Sequence, residues 1–191
     1  MGMDKALLPW PPATGSTVLS KHTFLSSAIA AFRAFADMVI VVAGVNEPLL
    51  APVVYANGGE LVRNPEPDRG QFSSLQVGLQ EVLNRGRDAA MISLVDRPPL
   101  SAATLKTLLV AFDAAANEKW AVVPAYQANH GHPILAGREM IEAFLRAPTT
   151  STAREILHRH QDQIEYVAVD DPMVAINVNT PEEYAALGVP R

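Results

Sequence analysis

Ala89-Ala90-Met91-Ile92-Ser93-Leu94-Val95-Asp96-Arg97-Pro98-Pro99-Leu100 contains the organising pattern of this chain in one stretch. Residues 89–95 are almost wholly apolar, as expected of a strand covered on both faces. The run ends in a carboxylate and then in a proline-rich turn. In open α/β sheets, ligands bind outside the carboxyl ends of the strands. Asp96 is therefore placed to hold Mg²⁺ on a phosphate ligand. An Asp that merely shapes a turn before prolines fits the same residues, and the stretch alone leaves the two readings even.

Outward from this strand, apolar runs alternate with helical spacing, which predicts an α/β layered domain. Residues 17–36 read as a helix, with Leu19, Phe24, Leu25, Ala28, Ile29 and Phe32 near helical spacing. Residues 38–43 form a β-branched run that stops at Gly44, and 59–62 a short second strand ended by Asn64-Pro65. A helix is predicted over 73–83. Another starts at Ser101 as its N-cap, with Leu105, Leu108, Leu109 and Phe112 inward. The second half predicts strands at 120–124, 132–136, 166–169 and 174–176, and helices at 139–145 and 152–160. Thr180-Pro181-Glu182-Glu183 opens a last helix, with proline in the first turn and acids at the positive end of the dipole.

The 191 residues suit a single domain over 1–191. Hydrophobic residues make up 49% and charged residues 18%, enough apolar material for a large core. The net charge of −5 comes with no basic run, which argues against nucleic acid or an anionic membrane as partner. No apolar run approaches a membrane span of about 20 residues. The absence of cysteine excludes disulfides and thiolate metal sites and fits a cytoplasmic protein.

Four further segments carry chemistry. Met1-Gly2-Met3-Asp4-Lys5-Ala6-Leu7-Leu8-Pro9 holds a lysine whose ammonium could stabilise charge on phosphate oxygens; an ordinary solvated lysine is the competing reading. Asn64-Pro65-Glu66-Pro67-Asp68-Arg69-Gly70-Gln71-Phe72-Ser73-Ser74-Leu75 is a turn-rich loop running into a helix start, where free N–H groups favour an anion. Ser73 or Ser74 would cap that helix in the plainer reading. In His130-Gly131-His132-Pro133 two imidazoles at i and i+2 suggest a zinc site. That reading is the weaker one, because no third ligand has convincing spacing, although Asp96 could approach in space. His158-Arg159-His160 reads as a solvated helix face. Asn177-Val178-Asn179-Thr180-Pro181-Glu182-Glu183-Tyr184 offers amide oxygens, which ligate Mg²⁺ without adding charge.

Taken together these motifs resemble the MobA-like NTP transferases, closest to the molybdenum cofactor cytidylyltransferase group. Met1, Gly2, Lys5 and Ala6-Leu7-Leu8 match the end of the family's L-A-A/G-G-x-S-x-R-M-G-x-x-K-A-L-L signature. Leu94 to Leu100 match its L-x-D-x-P-L motif, with Arg97 and an extra proline added. Asn64 to Leu79, including Gly78, match N-P-x(4)-G-x-x-S-S-L-x-x-G-L. Gly131-His132-Pro133 matches G-H-P, and 177–184 match D-x-D-T-P-E-D-Y with asparagines for both acids.

The resemblance implies a three-layer α/β/α, mostly parallel sheet of the glycosyltransferase-A kind, here expected without its first strand. It implies transfer of CMP or GMP from CTP or GTP to a phosphorylated, molybdopterin-type acceptor, with Mg²⁺ and loss of pyrophosphate. Lys5 and Asp96 would be catalytic, and Asp96 and Asn179 would hold the metal. Gly2, Lys5, Asn64, Gly70, Gln71, Ser73 and Ser74 would line the nucleotide pocket, and His132 would face the acceptor. A homodimer is compatible with it. The competing functions are a non-catalytic nucleotide- or cofactor-binding relative, and a same-fold transferase acting on a sugar phosphate or other acceptor. The missing strand would lie between 39–42 and 91–95. Those strands are expected to close by pairing directly, or to receive another chain's segment.

Overall fold

The computed structural model describes residues 4–12, 21–116 and 118–187. Gly2 and the first part of the helix expected over 17–36 lie outside them. The described helix, α1, spans Phe24–Arg33; Thr23 caps it by accepting from Ser26 N while Ser26 returns the bond. β1 (Ile40–Ala43) follows and pairs in parallel with β2 (Glu60–Arg63), Ile40 opposite Glu60 and Ala43 opposite Arg63.

Between them lies α2 (Glu47–Ala56), a helix that the sequence reading did not foresee. Pro48 sits in its first turn, where a missing N–H costs nothing, but Pro52 lies inside and removes a helical bond. Burial of Leu50 and Val54 against Ile29 and Ala43 offsets that loss.

α3 (Gln71–Asn84) leads to β3 (Ala89–Ile92), and α4 (Ala102–Ala115), capped by Ser101, leads to β4 (Ala121–Tyr126). The rest comprises β5 (Asn129–His130), β6 (Ile134–Gly137), α5 (Arg138–Arg146), α6 (Ala153–Arg159), β7 (Ile164–Ala168) and α7 (Pro181–Ala186). The second sheet is ordered β3-β6-β4-β5, with β7 on β4. β4 and β7 are parallel, and β6 runs against both β3 and β4.

Alternation along the strands builds the layers. Ala121, Val123, Ile134 and Ala136 face a core formed with α3, α5 and α6, where Met140, Ile141 and Phe144 are fully buried. Val122 and Leu135 face Leu108 of α4 on the other side. Helices thus cover both faces, giving the α/β/α class. Among the described residues no helix is long and apolar enough to cross a membrane.

Two expectations are corrected. β1 and β3 share no ladder among the described residues, so the sheet does not close by their direct pairing. Instead α3 packs across both, with Gly78 against Val42, and Arg87 pairs with Asp37 at 2.5 Å where the two strands begin. The strand expected at 174–176 is a 3₁₀ turn, Pro172–Ala175. Asp171 Oδ1 accepts from Met173 N at 3.0 Å and Pro172 fixes the first turn, so local capping overrides the β-branched composition.

Candidate active site

The lysine-bearing turn is held from both sides. Asp4 opens a 3₁₀ turn, Lys5–Leu7, by accepting from Ala6 N at 3.0 Å through Oδ1. Its other oxygen accepts from Asn46 Nδ2 at 2.7 Å, and Asn46 Oδ1 accepts from Gly44 N at 3.2 Å. Ala6 is buried beneath the turn with Leu25 and Ile29. The lysine turn is therefore fastened to the loop that leaves the carboxyl end of β1. Tyr184 of α7 adds a clasp by donating to the Pro9 carbonyl at 2.6 Å.

Three sequence-predicted residues come together here. Lys5 Nζ donates to Asn179 Oδ1 at 3.3 Å and stands 3.9 Å from Asp96 Oδ2. The Asp96 carbonyl accepts from Val178 N at 2.9 Å, which fixes the loop after β3 beside the 177–179 segment. Asn179 is positioned by its own N–H, which donates to Glu183 Oε2 at 2.6 Å inside the cap of α7. Asn177 Nδ2 reaches Asn179 Oδ1 at 3.4 Å.

The remaining oxygens of this cluster, Asp96 Oδ1 and Asn177 Oδ1, are buried without a hydrogen-bond partner among the described residues. Buried unsatisfied acceptors are costly, and a hard cation satisfies oxygens of this kind. Among the described residues no three His, Cys, Asp or Glu side chains form a metal cage. The donor set of one carboxylate and neutral amides fits a cation that draws its other ligands from phosphates and water.

The Asn64 block lies at the carboxyl end of β2, where Asn64 N donates to the Ala43 carbonyl at 2.8 Å. Its side chain is 2% exposed and fully used. Nδ2 donates to Ser73 Oγ and Ser74 Oγ, both at 2.9 Å, and Oδ1 accepts from Glu66 N at 2.9 Å. Ser73 Oγ in turn donates to the Gly70 carbonyl at 2.7 Å. Neither serine caps α3. The helix begins earlier, after Gly70, whose φ of 91° suits glycine, and no side chain caps it. Asn64 and Ser73 thus frame the loop from inside, while Gly70 and Gln71 are exposed at the helix start.

His132 is half-buried in the cleft that Arg97 also lines. Its N–H donates to the Val174 carbonyl at 2.9 Å, and its Nδ1 is buried without a partner. Burial, and then the charge of Arg97, push its imidazole down to about 4, so it is neutral near pH 7. Gly131 permits this approach, because a Cβ there would lie 1.9 Å from the Val174 carbonyl oxygen. His130 does not share a site with His132; it is exposed and stacks on Tyr166 with ring centroids 4.1 Å apart.

The structure adds residues that the sequence reading had not assigned to a site. Asp4 and Asn46 form the strut under Lys5. Asn177 contributes an unpaired oxygen, and Arg97 lines a small cleft with His132, Ser93 and Met173. Only Arg97 and Asn177 had a sequence signal, as departures from the family motifs.

Comparison with known proteins follows this geometry. The MobA-like NTP transferase domain matches residues 1–164. No curated protein matches the chain. Rv0371c from Mycobacterium tuberculosis H37Rv is similar in structure, with a TM-score of 0.77 at 23% identity over 98% of this chain and 90% of that one. The manganese complex of the same protein superposes with a TM-score of 0.73 at 23% identity over 97% and 92% of the two chains. Molybdopterin-guanine dinucleotide biosynthesis protein A from Archaeoglobus fulgidus gives 0.67 at 14% identity, over 98% and 90%. With the family match covering most of its length, the chain belongs to the MobA-like NTP transferases, a family of nucleotidyltransferases.

Proposed function

We propose that this chain is a divalent-metal-dependent nucleotidyltransferase that moves CMP or GMP from CTP or GTP to a phosphorylated acceptor, a molybdopterin-type compound in the first instance. The observation that carries the proposal is the meeting of Lys5, Asp96 and Asn179 at one point, beside two buried oxygens without partners. In the reaction, an oxygen of the acceptor's terminal phosphate attacks the α-phosphorus. The bond from the α-phosphorus to its bridging oxygen breaks, and pyrophosphate leaves with the electron pair.

Lys5 neutralises the triphosphate as charge moves to the leaving group. Asp96 and Asn179, with Asn177, would hold the cation, for which Mg²⁺ is the first choice. When bound, it supplies charge neutralisation across phosphate oxygens. Gly70, Gln71 and Ser74 offer the nucleotide exposed backbone and hydroxyl at the start of α3, held in shape by Asn64 and Ser73. Gly2 joins this set by family resemblance. His132, neutral and half-buried, faces the acceptor. A setting in the cytoplasm is supported by the lack of cysteine.

A second reading, a binding protein without catalysis, draws on the amide-rich donor set, which contains one carboxylate. Pyrophosphate release from CTP and GTP, measured with Mg²⁺ and with phosphorylated acceptors, separates the two. Metal-dependent release supports the transferase. Cofactor binding by calorimetry without any metal-dependent triphosphate binding overturns it in favour of the second reading.

A further inference from the structure

Arg97 differs from the other described arginines, all of them exposed, in being half-buried. Arg69, Arg85, Arg87 and Arg138 sit on the surface, each paired with a carboxylate. Arg97 is half-buried and forms no ion pair within 4.0 Å among the described residues. Its Nη1 donates to two main-chain carbonyls, Ile176 at 3.2 Å and Val174 at 3.4 Å. Its Nε is buried and has no partner. The negative charge of its chain neighbour Asp96 acts on it, but Asp96 Oδ2 is turned to Lys5.

A half-buried cation without an ion-pair partner is costly, and an arriving anion would relieve that cost. The two carbonyls hold the guanidinium in one orientation without neutralising it, which leaves donors of its planar fork for a ligand. That fork matches carboxylate and phosphate, and phosphate is the anion that the proposed reaction brings to this place. The main-chain N–H of His132 shares the Val174 carbonyl with Arg97, and the two residues line the same small cleft.

We infer that Arg97 binds the terminal phosphate of the acceptor, with His132 beside it, and so selects phosphate monoesters as acceptors. The inference rests on the transferase reading for the word acceptor. In-line displacement needs the incoming oxygen opposite the leaving pyrophosphate. Lys5 reaches Asp96 from the turn at the start of the chain, whereas Arg97 follows Asp96 in the same loop and is turned to the carbonyls of Val174 and Ile176. One cation therefore serves the triphosphate, and the other the attacking phosphate.

The test uses the full chain and inorganic phosphate as probe, titrated by calorimetry in chloride buffer with and without saturating Mn²⁺ and CTP. Wild-type protein is expected to bind phosphate in both conditions. Arg97→Gln should weaken phosphate by about tenfold or more, the loss of a charge-assisted hydrogen bond, while its affinity for Mn²⁺-CTP stays within about twofold of wild type. Arg97→Lys keeps the charge but not the fork, is expected to lose several-fold, and serves as the test if the glutamine variant does not fold.

Three results overturn the inference: no phosphate binding by wild type, unchanged phosphate affinity in the variants, or displacement of phosphate by Mn²⁺-CTP. The last would assign Arg97 to the triphosphate instead. Failure of wild type to bind Mn²⁺-CTP would count against the transferase reading alone, because the phosphate titration without nucleotide still decides whether Arg97 is an anion receptor.

Discussion

Lys5 Nζ meets Asn179 Oδ1 at 3.3 Å across a separation of 174 residues. The contact is made possible by two capped turns, one begun by Asp4 and one by Thr180, and each turn holds its functional side chain at a fixed place. Asp96, brought in by its carbonyl bond to Val178, completes the triangle.

If Lys5 neutralises the leaving pyrophosphate, Lys5→Gln should lower kcat by about 10²- to 10³-fold, the cost of losing one preorganised charge-stabilising group. Asp96→Asn should instead remove metal-dependent CTP or GTP binding. Steady-state pyrophosphate release and calorimetry with Mn²⁺ check both. Equal activity in the lysine variant would remove Lys5 from the mechanism.

Glu183 acts on the site through Asn179. Its carboxylate accepts from Asn179 N at 2.6 Å and Thr180 N at 3.1 Å. Glu183→Ala should cost about 1 kcal/mol of stability, as for a lost cap, and should weaken Mn²⁺ binding with CTP present. Thermal unfolding and calorimetry measure the two effects. A stability loss without any change in metal affinity would confine Glu183 to the helix cap.

Asn64 is a structural keystone of the loop before α3. Asn64→Leu leaves the Glu66 N–H and two serine hydroxyls without their partner. The expected destabilisation is about 2–3 kcal/mol, the range for abandoning buried polar groups. Urea unfolding followed by far-UV circular dichroism reads it, and a variant as stable as wild type would contradict the account.

Gly131→Ala tests the close approach to the 172–175 turn. The added methyl would lie 1.9 Å from the Val174 carbonyl oxygen, so the backbone has to move. A loss of about 1–3 kcal/mol is expected, as for overpacking elsewhere. Because His132 N–H uses the same carbonyl, acceptor affinity should fall with stability.

His132 gives the protein a pH dependence with a definite sign. Its ordinary value of 6.5 is pushed down to about 4 in the folded state. Between those values the unfolded chain binds the proton and the folded chain does not. Its contribution is therefore fully present above about pH 6.5 and is lost as pH falls towards about 4, up to about 3 kcal/mol. Urea midpoints at pH 7 and pH 5 should differ less in His132→Asn than in wild type.

The residues that were legible in advance were those with a local cause. Met38 to Ala43 and Ala89 to Val95 read as strands because β-branched and apolar runs need cover on both faces, and the ladders occupy Ile40–Ala43 and Ala89–Ile92 of them. Ser101 and Thr180 read as helix starts because a side-chain oxygen satisfies nearby N–H groups. α2 was not legible, since Pro48 and Pro52 argue against a helix and only the burial of Leu50 and Val54 makes one worthwhile. Val174-Ala175-Ile176 misled in the opposite direction, because strand-like composition yielded to the turn that Asp171 and Pro172 initiate.

The sequence by itself determined the alternation of strands and helices, the family, and the identity of the groups with phosphate chemistry, because periodicity, capping and motif spacing are properties of neighbours along the chain. Only the tertiary structure decided that α3 spans two separate ladders, that Asn64 and Ser73 turn inward while Gly70 and Gln71 stay exposed, and that Arg97 is a half-buried cation without a carboxylate partner. Those outcomes depend on which distant groups share a buried space. A charge or an amide is costly there unless something else in that space satisfies it, and no local pattern in the chain records what that partner is.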